Sequence, residues 1–186
     1  MSPLAPPAPD EYGALYAGYV AQVPAGTDIL DLLAQQRDGT LARFAALSED
    51  RGGYRYAPGK WSVKEVLLHL SDVERVMAYR ALRVARGDTT PLPGFDEDAW
   101  APLSGADARP LAEIAEEWGD VRQASLALFR HLPADAWTRR GTASGVPVSV
   151  RALAWIIVGH ERHHLAILGE RYGLWDARDQ VAGAAR

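Results

Sequence analysis

A chain of 186 residues, 48% of them apolar, can bury one hydrophobic core without covalent staples. It contains no cysteine, which excludes a disulfide framework, a thiolate metal site and a cysteine nucleophile. The net charge is −4 and the 20 basic residues are scattered, so there is no basic stripe of the kind that nucleic acid or an anionic membrane demands.

The opening "MSPLAPPAP" is rich in proline and lacks the charged and apolar regions of a secretory signal. It reads as a flexible segment over residues 1–9, ahead of one domain over 10–175 and a tail over 176–186. The longest apolar run, "ALAWIIVG", is too short to cross a bilayer. The expectation is a soluble, cytoplasmic protein without nucleic-acid or membrane partners.

Four segments carry helical periodicity. The first covers residues 28–47, with Ile29, Leu30, Leu33, Leu41, Phe44 and Leu47 on its apolar side and Gly39 weakening it by about 1 kcal/mol relative to alanine. The second follows Pro58 and Gly59. Ser62 and Glu65 form an S-x-x-E capping box, Trp61 can staple onto Val66, and Val63, Val66, Leu70, Val73 and Met77 recur at helical spacing up to a stop at Gly87. The third begins at Pro110, has Glu113, Glu116 and Glu117 near its positive end, and ends by His131, which suits a capping role before Pro133. The fourth runs from about Ser149 to Gly173.

Long connectors separate these helices. Residues 88–109 and 132–148 show no convincing strand alternation, although "VPVSV" could pair briefly. Connectors of about 20 residues can return along a helix and often shape a site. Three motif resemblances fail on inspection. "GGYRYAPGKWS" has the wrong spacing for a phosphate loop, with Trp61 in place of the magnesium-binding hydroxyl. "GTASG" has no strand-to-helix elbow around it, and "FDEDAW" lacks the glycine and terminal glutamate of a calcium loop.

Three of the five histidines fall in "GHERHH" of the fourth helix. With about 100° per residue and His160 set at 0°, His164 falls near 40° and His163 near 300°. His160 and His164 therefore share the middle of the apolar stripe, one turn apart, while His163 lies at its edge. Two buried imidazoles at this spacing can reach one metal ion, and coordination gives a buried ring nitrogen a partner. The other reading is a pair of hydrogen-bonded core histidines. His69, on the flank of the second helix, is the natural third ligand. Asp72, one turn on, is a candidate carboxylate for a ligand ring N–H, or an ordinary surface acid. Glu161 points toward a neighbour or solvent. Arg80, three turns along from His69, either meets an anionic substrate or snorkels from the core edge.

The joint pattern of "GKWSVKEVLLHLSDVERVMAYRALRVARGD", "PLPGFDEDAW" and "VSVRALAWIIVGHERHHLAIL" resembles the DinB/YfiT-like superfamily. The resemblance covers roughly residues 12–172. It implies an all-α fold, a four-helix bundle in up-down-down-up order with long connecting loops. It also implies a divalent metal, zinc or nickel, held by His69, His160 and His164; helix geometry leaves Asp72 as a candidate supporting group and His163 as a supporting group, a substrate contact or a surface residue. Relatives include thiol-dependent transferases or isomerases and metal-dependent hydrolases, and often form dimers. Some thiol-dependent relatives carry glutamate at one of the three positions, where this sequence has histidine. The implied function is a metal-dependent enzyme that activates water or a low-molecular-weight thiol such as bacillithiol for reaction with a small-molecule substrate. The alternative is a non-catalytic, stress-related bundle that binds a metal or ligand. Three nitrogen ligands leave a position open, as catalytic zinc requires.

Overall fold

A computed structural model describes residues 4–175. The tail assigned to residues 176–186 lies outside the described residues, as do residues 1–3 of the opening segment. Four long helices dominate: α1, Ile29–Ala45; α2, Val63–Ala85; α3, Leu111–Arg130; and α4, Val150–Glu170.

Their ends are fixed by local chemistry. The Asp28 carboxylate accepts from the backbone N–H groups of Leu30 and Asp31 at the start of α1, at 2.8 and 3.3 Å. At α2 the capping box is complete: Glu65 N–H donates to Ser62 Oγ at 3.0 Å, and Ser62 N–H donates to Glu65 Oε2 at 2.7 Å. That helix ends with Gly87 at φ 81, where Gly87 N–H reaches Val84 O and Asp88 N–H reaches Arg83 O, a Schellman turn. Ser149 Oγ accepts from Ala152 N–H to begin α4. His131 is the C-cap of α3.

Contacts fix the helix directions. Leu33 and Arg37 of α1 meet Arg122 and Gly119 of α3, which makes that pair antiparallel. Gln36 and Thr40 meet Val158 and Glu161 of α4, which makes that pair parallel. Trp61, just before α2, accepts at its carbonyl from the hydroxyl of Tyr172, just after α4, so those two helices run opposite ways. Leu67 and Ile114 share one end of the core, and Met77 and Phe129 the other, so α2 and α3 are parallel. The order is up-down-down-up. Each of α1 and α2 packs against both α3 and α4. The chain can follow this order because the connectors are long enough to carry it back.

The core has two apolar clusters. One gathers around Leu33, Met77, Phe129, Leu153 and Ile156, the other around Phe44, Leu67, Ile114, Trp118 and Leu168. Near the border between them sits an ionic group to which every helix contributes. Arg122 of α3 donates to both carboxylate oxygens of Glu74 on α2, at 2.7 and 2.8 Å, and to Glu161 Oε2 on α4 at 2.8 Å. Leu33 O on α1 accepts from Arg122 at 3.2 Å, and Thr40 Oγ1 donates to Glu161 Oε1 at 2.6 Å.

The connectors hold short elements. Single helical turns occupy Ala17–Val20, Glu49–Gly52 and Glu97–Trp100. Residues 132–148 contain a two-stranded hairpin, β1 Arg140–Ala143 and β2 Val146–Ser149, with Gly141 opposite Val148. Its turn, Ser144–Gly145, has φ of 53° and 76°, the backbone a two-residue hairpin favours. The sequence permits only brief pairing at "VPVSV", because "RGTA" has no apolar alternation. What steadies β1 is tertiary: Leu92 N–H donates to Thr142 O and Ser144 N–H to Leu92 O, joining the hairpin to the connector after α2. At the other edge, buried Glu11 accepts from Ser149 Oγ and Arg151 Nε, both at 2.7 Å.

Candidate metal centre

α2 and α4 cross where His69 faces His160. Their Nε2 atoms lie 3.0 Å apart, with one ring donating and the other accepting according to tautomer. His164, one turn beyond His160, presents its ring 4.8 Å from that of His69 and 4.6 Å from that of His160. One nitrogen from each of the three rings lies within 4.8 Å of the other two. The sequence places His160 and His164 on an apolar stripe and His69 on the flank of another, and the fold brings them to one point.

Burial sets their protonation. It pushes His69 down to about 4 and holds His160 and His164 well below the ordinary imidazole value, with the neighbouring rings adding to the effect. All three are neutral at pH 7, the form in which imidazole ligates a metal. The donor set fits a divalent ion of the zinc, nickel or copper type. A tetrahedral ion with bonds of about 2.0–2.1 Å would set its ligand atoms roughly 3.3–3.4 Å apart. The His69–His160 pair, at 3.0 Å, comes near that spacing, and the three nitrogens all lie within 4.8 Å of one another.

His163 stands outside the trio. Its ring packs on His164 at 5.1 Å and on Tyr19 at 5.4 Å. Asp72 bonds no histidine among the described residues. Its carboxylate lies 3.4 Å from Arg75, and burial raises its pKa. It does line a small pocket of about 10 Å³, the size of one water, against His69, with Phe95, Glu97, Trp100 and Ser104 from the connector after α2. Glu161 points away from the trio into the ionic group with Arg122. Burial raises its carboxyl, and Arg122 pulls it back. Arg80 is buried and joins the connector to the hairpin.

Sequence reasoning misses Tyr19. Its ring meets His160 edge-on at 5.3 Å. It sits there because Gly159 lets the carbonyl of Tyr19 rest on α4: a β-carbon at Gly159 would stand 2.0 Å from that oxygen. The turn carrying Tyr19 is four residues long, too short for periodicity to reveal. Trp61 is a second such neighbour, its ring 4.8 Å from that of His69.

Four helices in this order, with three imidazoles gathered between the second and the fourth, define a helical bundle with a histidine donor set at its core. The sequence matches the profile of the DinB superfamily over residues 32–168. The chain belongs to that superfamily. Its fold is similar to that of YfiT from Bacillus subtilis, described as a probable metal-dependent hydrolase with an unusual four-helix bundle topology (TM-score 0.67, 19% identity, 89% of this chain and 95% of that one). It is also similar to a mycothiol-dependent maleylpyruvate isomerase (TM-score 0.64, 13% identity, 83% and 67%). A DinB-like protein of Bacillus subtilis, YjoA, is a further structural relative (TM-score 0.54, 20% identity, 76% and 87%). At these identities the likeness is one of fold. The sequence matches none of the curated proteins compared with it. No helix among the described residues is long and apolar enough to cross a membrane.

Proposed function

We propose that His69, His160 and His164 hold a divalent metal ion, zinc or nickel, and that the centre is catalytic. The observation that carries this reading is the convergence of three neutral imidazoles, two buried and one half-buried, from two helices beside a pocket. Membership of a superfamily whose structural relatives include a metal-dependent and a thiol-dependent protein supports it. With three protein ligands, such an ion would act as a Lewis acid toward a water or a low-molecular-weight thiol such as bacillithiol. The reaction class is thiol transfer or hydrolysis on a small electrophile. A cytoplasmic homodimer is the setting we assign to it, in a compartment that keeps such thiols reduced.

The chain's own residues have separable parts in this reading. Burial keeps the three rings deprotonated, so binding an ion displaces no proton from them. The ionic group of Glu74, Arg122 and Glu161 ties α2, α3 and α4 together near His160, which holds the rings in register. Phe95 and Trp100 wall the pocket and restrict water around His69. Asp72 lines that pocket, its pKa raised by burial and lowered again by Arg75.

Elemental analysis of protein purified without a histidine tag tests the reading. About one zinc or nickel per chain is expected, lost in His160→Ala with helicity unchanged. Undiminished metal in that variant would refute the ligand assignment. Thiol transfer to a model electrophile, present in the parent and absent in the variant, separates an enzyme from a passive metal binder.

A further inference from the structure

The protein buries two arginines almost completely, and their surroundings differ. Arg122 is held by two carboxylates. Arg80, 1% exposed, is held by neutral groups alone. Its Nη2 donates to Pro93 O at 2.7 Å and to Ser144 Oγ at 2.9 Å, and Nη1 lies 3.7 Å from Met77 Sδ. The ring of Phe95 lies 5.5 Å from its Cζ. Among the described residues no carboxylate reaches it, and its Nε–H has no oxygen partner. A buried cation without a counter-charge is costly, and such groups are retained where an anion completes them.

Arg80 lines a solvent-open cleft of about 360 Å³. The walls are apolar and aromatic: Val76, Tyr79, Leu92, Pro93, Phe95 and Trp100. Arg75 also borders it, but Asp72 and Glu117 already neutralise that guanidinium. Phe95 and Trp100, packed with ring centroids 5.0 Å apart, line both this cleft and the pocket against His69. The cleft and the pocket are thus two sides of one aromatic partition. The Arg80 guanidinium leans back to the level of Met77, eight residues from His69, which is about 12 Å along the helix at 1.5 Å per residue.

We infer that the cleft binds an elongated aromatic or alkyl carboxylic acid, its carboxylate on Arg80 and its apolar body on Tyr79, Leu92 and Trp100. The far end of such a molecule is directed past Phe95 and Trp100 toward His69. The inference names the substrate class of the proposed metal centre and rests on that reading for the role of the far end, but not for the binding itself. A carboxylate suits the site because the Arg80 guanidinium has no counter-charge among the described residues and the cleft's other arginine, Arg75, is already paired.

The test is a pair of titrations of the full chain, followed by tryptophan fluorescence and calorimetry, with 4-phenylbutanoate and with its uncharged amide. EDTA is present throughout, so that the acid cannot bind through a metal. The acid is expected to bind at least tenfold more tightly than the amide, and Arg80→Met to abolish the difference. Tyr79→Ala, at a half-exposed wall position, is expected to weaken both ligands by the same factor. The parent and His160→Ala should bind the acid equally. Equal affinity for acid and amide in the parent would overturn the inference, whatever Arg80→Met does to folding, as would indifference of both ligands to Tyr79→Ala. A chain that carries no metal as purified, before EDTA is added, yet prefers the acid would sink the metal reading and leave the carboxylate site standing.

Discussion

Arg122 shows at the scale of one residue what the bundle asks of its polar groups. It is fully buried, and both of its acidic partners lie on other helices. Removing one member of such a group leaves the others charged and unpaired, which costs about 3–5 kcal/mol. Arg122→Met should therefore unfold at markedly lower denaturant, and a double change to Arg122→Met with Glu74→Gln should recover part of the loss in equilibrium urea unfolding. Glu11 gives a pH test with a definite sign. The hydrogen bond from Arg151 is the chief cause that holds its carboxyl at about 2, below the ordinary 4.5. The unfolded chain therefore takes up its proton first on acidification. The stabilisation from this pair is complete above about 4.5 and is lost as pH falls from there toward 2. The melting-temperature gap between the parent and Glu11→Gln should be constant near neutrality and shrink across that window. Both buried groups leave a trace in the sequence, since Glu74 and Arg122 interrupt apolar stripes one turn from Leu70 and Trp118. Which acid meets which base was not legible, because pairing depends on how the helices cross.

At the scale of elements, α2 and α4 are readable from the chain, and for physical reasons. A serine cap and an apolar stripe act within a few residues of one another in both, and α2 adds a capping box and a glycine stop. The three histidines are readable on the same grounds, since two share a stripe and the third flanks one. The hairpin and the turn at Ala17–Val20 are not, because both owe their shape to residues far away, Leu92 for β1 and Gly159 for the turn. Gly159 gives an element-scale prediction. On helix propensity alone Gly159→Ala would stabilise α4 by roughly 0.5–1 kcal/mol. Here the new methyl group would meet the Tyr19 carbonyl at 2.0 Å, so the turn must move off α4. The expected result is a net loss of about 1–3 kcal/mol, together with faster proteolysis within residues 12–25. A rise in melting temperature would show that the contact between Tyr19 and α4 is weak.

For the whole molecule, an ion held by the three histidines as proposed would join α2 to α4 and should stabilise the fold by mass action. Zinc at about 1,000 times its dissociation constant adds roughly 4 kcal/mol. In a chain of this size each kcal/mol raises the melting temperature by about 2–4 °C. EDTA should reverse the gain, and His69→Ala should show none, which differential scanning calorimetry can measure. The bundle as a whole is predictable from four periodic segments, whereas the partners of each helix follow from long connectors whose paths carry no periodic signal.

The up-down-down-up order also governs how the protein can be made. Successive helices never form an antiparallel hairpin: α1 and α2 sit diagonally, α2 and α3 run the same way, and α3 and α4 are again diagonal. On the ribosome the first two helices therefore have no mutual surface to bury as they emerge. The last helix carries two of the three imidazoles and bonds to α1 across 121 positions of chain. Nascent chains should stay open, and in need of shielding from aggregation, until α4 has emerged.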